Sequence, residues 1–116
     1  MGAKKSDWKS DWNEVADFAK SSGVTTKELY DYTINKLRIK IKPETMEIGC
    51  LVYDALKKKS KLSKRSKIIN LRKKIITINP NWKNFSDQKL YENANHALNR
   101  TPTFVKWDKK VRKQIF

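Results

Sequence analysis

The positive charge of this chain is confined to its second half. Residues 1–56 carry nine Lys/Arg and nine Asp/Glu, whereas residues 57–116 carry eighteen and three, so the net charges are 0 and +15. A surplus of this size is costly through self-repulsion unless a partner neutralises it. It restricts the second half to elements with one apolar face and one basic face, and it indicates a polyanionic partner.

The number of apolar residues is enough for a single hydrophobic core. The chain has 116 residues, of which 27 are Ile, Leu, Val or Phe. That share is slightly above the roughly 20% below which a highly charged chain tends to stay disordered. Four Trp and four Tyr enlarge the core. We therefore expect a single domain over residues 1–116, marginally stable, made of a neutral half (1–56) and a strongly basic half (57–116).

The densest cationic run is residues 57–74, with ten Lys/Arg in eighteen positions and no acid between Asp54 and Asp87. We name this run the basic segment. We expect its first part to be a flexible or frayed linker, and the sequence leaves open whether residues 57–67 are ordered without a ligand. Its second part predicts a helix with one buried face, because helical spacing continues through Ile68, Leu71, Ile75 and Ile78. A strand over residues 75–78 is the alternative.

Two helices are predicted in the neutral half. Residues 6–22 place apolar side chains at the spacing of one helical face, which predicts an amphipathic helix. Gly23 interrupts the pattern, and Thr25 with Glu28 forms a capping box that opens a second helix from Thr26 to about Leu37.

Further along, residues 37–42 alternate apolar with basic side chains, which fits a short strand or a frayed helix end. Pro43 predicts the start of a third helix. A helix capped by Ser86 carries Leu90, Ala94, Ala97 and Leu98, and a last helix carries Phe104, Trp107, Val111 and Ile115. The predicted fold class is therefore mainly α.

The stretch VADFAKSSGVTTKELYDY, residues 15–32, resembles the helix-turn-helix motif of bacterial and phage DNA-binding regulators. Ala19 is small where the two helices would cross, and Gly23 stands where the turn needs a conformation that glycine adopts without strain. An ordinary helical hairpin satisfies the same apolar positions and remains an alternative.

The resemblance implies a recognition helix from Thr25 to about Leu37. The residues it would place nearest the major groove are Thr25, Thr26, Lys27, Tyr30 and Asp31. Glu28 and Asp31 bring negative charge close to phosphates and count against this interpretation. Phosphate contacts are expected from Lys57, Lys58, Lys59, Lys64, Arg65, Lys67, Arg72, Lys73, Lys74, Lys109, Lys110, Arg112 and Lys113.

An enzyme is not expected. His96 is the single histidine and Cys50 the single cysteine, so the sequence offers no Cys/His metal cluster, and it contains no Gly-rich phosphate loop. We predict neither a catalytic residue nor a cofactor or metal. Because no apolar run approaches the 18 or so residues of a membrane span, we expect a cytoplasmic protein without a membrane partner, associated with the nucleoid in a bacterium.

The first functional hypothesis is a small DNA-binding regulator of bacterial, plasmid or phage origin, acting as a homodimer on two half-sites. An RNA-binding protein that uses the basic half is the second hypothesis. The third is a small phage-type inhibitor or adaptor that docks on a host nucleic-acid enzyme, with Trp8 and Trp12 as exposed anchors.

Overall fold

The computed structural model describes residues 8–21 and 23–107, and the regular structure of this part of the chain is entirely helical. The predicted mainly α fold class is confirmed. None of the helices described here is long and apolar enough to cross a membrane. The elements are α1 (Trp8–Ala19), α2 (Thr26–Leu37), α3 (Pro43–Lys57), α4 (Lys64–Ile69), α5 (Arg72–Ile78), a 3₁₀ turn (Pro80–Trp82), α6 (Asp87–Arg100) and α7 (Thr103–Trp107).

The chain divides into two compact units. Described residues up to Pro43 belong to the first unit, and Glu44–Trp107 form the second. The charge boundary at residue 56 therefore does not coincide with the boundary between the units. The second unit begins earlier because α3 contributes Ile48 and Val52 to the same apolar cluster as the helices that follow it.

In the first unit α1 packs against α2 across a short turn. Gly23 has a φ of +80°, a left-handed conformation that glycine adopts at little cost. The predicted capping box is confirmed: the Glu28 amide donates to Thr25 Oγ1 (3.1 Å), and the Thr25 amide donates to Glu28 Oε1 (3.2 Å). These bonds satisfy amides that have no partner within the helix, which is why α2 begins where the sequence predicts.

Neither predicted strand forms in the described residues. Arg38 ends α2 in a left-handed conformation (φ 58°), and residues 39–42 have no regular structure. The strand alternative at residues 75–78 is wrong, because these residues complete α5. Their β-branched side chains favour a strand locally, but Ile75 is fully buried against the second unit's core at helical spacing from Ile68 and Leu71.

The core of the second unit collects apolar side chains from α3, α4, α5 and α6. The four residues predicted on the inner face of α6 are all buried, as are Ile48 and Val52 of α3. Leu51 and Leu56 pack against the same cluster. The buried members are Ile48, Val52, Ile68, Ile75, Leu90, Ala94, Ala97 and Leu98.

The backbone of α3 lies directly against the end of α6 at Gly49. A Cβ atom at this buried glycine would collide first with the side-chain oxygen Thr101 Oγ1, and it would lie 2.7 Å from the Ala97 carbonyl oxygen. Thr101 is itself buried, and its hydroxyl donates to the same Ala97 carbonyl (2.8 Å). The absent side chain therefore sets the closest approach of the two helices.

We predict that Gly49→Ala lowers the free energy of unfolding by about 1–3 kcal/mol, because backbone atoms of α6 cannot move aside as a flexible side chain would. Urea unfolding measures the loss. A double-mutant cycle with Thr101→Ala identifies its cause: the Gly49→Ala penalty shrinks in the Thr101→Ala background if the two positions collide. Equal penalties in both backgrounds would contradict this packing.

Candidate nucleic-acid interface

The second unit carries the basic segment on a folded scaffold. Glu44–Trp107 contain fourteen Lys/Arg and five Asp/Glu, which gives +9. Residues 64–69 form α4, so the part of the basic segment without regular structure ends at Ser63. Ser63 is the N-cap of α4, and its hydroxyl accepts a hydrogen bond from the Ser66 amide (3.1 Å).

Both helices of the basic segment begin with cations. Lys64 and Arg65 open α4, Arg72, Lys73 and Lys74 open α5, and neither first turn contains an acid. Because the N-terminus of a helix is partially positive, each cation placed there costs roughly 0.3–1 kcal/mol when it is not offset. These charges stand where they oppose helix formation.

Three predicted contact residues have partners inside the protein. Arg72 Nη1 donates to the Phe85 carbonyl (2.9 Å) and Nη2 to Asp87 Oδ1 (2.5 Å), which ties α5 to the start of α6. Lys67 Nζ donates to the Lys58 carbonyl (3.0 Å), and Lys57 Nζ lies 5.1 Å from the centre of the Tyr53 ring. Arg72, Lys67 and Lys57 thus make contacts within the protein, and their predicted contacts with phosphate stay predictions.

The other predicted cations of the segment face solvent. Lys58, Lys59, Lys64, Arg65, Lys73 and Lys74 are exposed, and their side chains form no ion pair with any residue in the described ranges. Lys61 and Lys83 are exposed in the same way and were missing from the predicted set. Lys61 could have been found, because it lies within the same run. Lys83 follows the 3₁₀ turn and carried no sequence signal.

Aromatic side chains beside the segment belong to the core. Trp82 and Phe85 stack with ring centres 5.4 Å apart and pack against the buried cluster. Lys89 Nζ lies 4.6 Å from the centre of the Phe85 ring, a distance typical of a cation–π contact. The side chains of Phe104 and Trp107, predicted to be core, lie outside the described part.

The predicted recognition helix gives a mixed result. Tyr30 is only 2% exposed, so in this structure its side chain is buried, and its predicted contact with the major groove stays a prediction. Asp31 and Thr25 are exposed, and the Thr25 hydroxyl is engaged in the capping box. Six further predicted contacts lie outside the described residues: the side chains of Thr26 and Lys27, and Lys109, Lys110, Arg112 and Lys113.

Interactions between α1 and α2 consolidate this pair of helices. Phe18 and Tyr32 stack with centroids 4.2 Å apart, and Lys36 Nζ lies 3.0 Å from Glu14 Oε1. The hydrogen bond to Glu14 raises the pKa of Lys36, and partial desolvation opposes that shift. Glu14 therefore offsets the charge of Lys36, which reduces the net positive charge that α2 presents.

Burial perturbs one carboxyl group of the second unit. Desolvation, with a smaller contribution from Glu44, raises the pKa of half-buried Glu47 on α3. No cluster of His, Cys, Asp or Glu that could hold a metal ion occurs within residues 8–21 and 23–107, and His96 is exposed on α6. The described residues therefore point to the basic segment as the candidate site, because it concentrates exposed cations without acids.

Comparison with protein-family models, with curated proteins and with solved structures finds no match to this chain.

Arg72 and its neighbour Lys73 provide a matched pair that separates structural cations from surface cations. We predict that Arg72→Gln lowers the free energy of unfolding by about 1 kcal/mol, chiefly through the lost bond to the Phe85 carbonyl, because the Asp87 carboxylate is largely exposed. Lys73→Gln is expected to leave stability unchanged or raise it by a few tenths of a kcal/mol, since it removes a cation from a helix start. Equal losses in urea unfolding would contradict the assigned roles.

Proposed function

We propose that this protein binds nucleic acid through the exposed cations of the basic segment, with duplex DNA as the preferred ligand. The main support for the proposal is that exposed cations, unpaired among the described residues, stand at the starts of α4 and α5. In these positions they oppose helix formation. Phosphate groups would neutralise them, and counterions released from the duplex would supply the affinity.

A lysine-rich surface that serves only solubility is the competing explanation. Such surfaces work with both signs interspersed. Here no acid occurs between Asp54 and Asp87, and the nearest acid after the segment, Asp87, is paired with Arg72. The unbalanced charge and its unfavourable placement on both helices favour a polyanionic ligand over a solvated face.

A helix-turn-helix formed by α1 and α2 is the second part of the proposal. The positive φ of Gly23, the capping box at Thr25 and the packing of α1 on α2 support it. Exposed Glu28 and Asp31 limit its electrostatic contribution. We therefore assign orientation on the duplex to α2 and most of the affinity to the second unit.

The biological role that fits this division is regulation of transcription, or DNA handling, in a bacterium, plasmid or phage. One motif of this size gives limited discrimination, so a homodimer on two half-sites belongs to the proposal. RNA binding by the basic segment remains the alternative ligand assignment, since phosphate contacts alone do not separate the two nucleic acids.

The test compares fluorescence anisotropy of duplex DNA, single-stranded DNA and an RNA hairpin across a salt series. For Lys59→Gln/Lys61→Gln we predict that the slope of log affinity against log salt on duplex DNA becomes shallower by up to about 2, because each lost phosphate contact accounts for about 0.9. The matched control Lys20→Gln/Lys42→Gln removes the same charge from exposed positions of the first unit and is expected to change the slope less.

Absence of binding at low salt would contradict the proposal. Equal effects of the two double variants would also contradict it, because binding would then follow net charge alone. Tighter binding of the RNA hairpin, with the same dependence on Lys59 and Lys61, would transfer the function to RNA.

A further inference from the structure

Among the residues whose side chains are described, Leu62 is the large hydrophobic residue that is exposed, with 50% of its surface open to solvent. It lies in the loop between α3 and α4, within the basic segment. Single exposed leucines are common on protein surfaces, so exposure alone assigns no role. Leu62 differs from such a residue in its position within the loop.

Hydrogen bonds define the loop around Leu62. The Leu62 amide donates to Ser60 Oγ (3.1 Å), and Lys67 Nζ donates to the Lys58 carbonyl at the base of the loop (3.0 Å). On the other side, Ser63 caps α4. Leu62 is therefore presented from a loop whose two ends are both fastened to the helical scaffold.

Cations flank the leucine on both sides along the chain. Lys59 and Lys61 precede it, Lys64 and Arg65 follow it, and all four are exposed. Along the chain, the side chains nearest Leu62 are the short ones of Ser60 and Ser63 and the long, flexible ones of lysine residues. A narrow apolar tip between cations is complementary to a groove that has base pairs at its floor and phosphates at its rims.

We propose that Leu62 inserts between base pairs from the minor groove of duplex DNA and bends the duplex, while Lys61 and Lys64 hold the flanking phosphates. This inference rests on the proposed function and specifies its ligand as a deformable duplex. Apolar wedges of this kind unstack a base step, and the bent DNA then contacts more protein surface. Pyrimidine–purine steps such as TA deform most readily and are the preferred sites.

The experiment measures the end-to-end distance of a dye-labelled duplex of about 20 base pairs with a central TA step, by energy transfer at saturating protein. Full-length protein is expected to shorten that distance. Leu62→Ala is expected to abolish the shortening and to weaken binding about five- to tenfold, while most of the salt slope is kept because the flanking cations are unchanged.

Two variants control for other causes. Leu62→Met keeps an apolar wedge and is expected to retain the bend. Lys61→Gln keeps the wedge but loses a phosphate contact, so it is expected to bend the duplex at saturation with weaker, less salt-dependent binding.

Failure of the full-length protein to bind any nucleic acid would overturn the proposed function and this inference together. Salt-dependent binding without bending, or bending that is unchanged in Leu62→Ala, would overturn the wedge alone and leave the proposed function standing. The same variants are also tested on phosphatidylserine-containing vesicles. Binding to vesicles that depends on Leu62, with duplex binding independent of it, would assign the leucine to a membrane surface and overturn the inference.

Discussion

The packing of apolar side chains beneath a strongly basic surface is the constraint on which the second unit depends. Ile48, Ile68, Ile75 and Leu90 are fully buried, and their burial has to offset the mutual repulsion of a unit with a net charge of +9. The close approach at Gly49 brings the backbone of α3 against the end of α6. Burial, more than helix propensity, makes short helices such as α4 and α5 possible.

Within that fold, cations divide into two groups with different physical roles. Arg72 and Lys67 donate to carbonyl groups of the chain and hold α5 and the loop before α4 in place. Lys64 and Lys73 face solvent at helix starts, where the helix dipole disfavours them. A positive surface that lowers the stability of its own scaffold is expected where binding of an anion outweighs that loss.

Local chemistry made some elements predictable and long-range packing made others unpredictable. The capping box at Thr25 and Pro43 at the start of α3 are signals contained within a few residues, and both helices begin where predicted. The helical state of residues 75–78 depends on the buried partners of Ile75, which β-branched composition alone does not reveal. In the candidate site the cationic run was visible in the sequence. The burial of Tyr30 and the internal bonds of Arg72 were not, because both depend on contacts made only after folding.

The central claim is that affinity for nucleic acid is located on the basic segment of the second unit. Amide NMR of the full-length protein, titrated with a short DNA duplex at low salt, tests this claim most directly. We predict that the largest chemical-shift changes fall on residues 57–65 and on Lys73 and Lys74, and that they reverse when salt is added. Changes confined to residues 8–21 and 23–43, or no changes at all, would contradict the account.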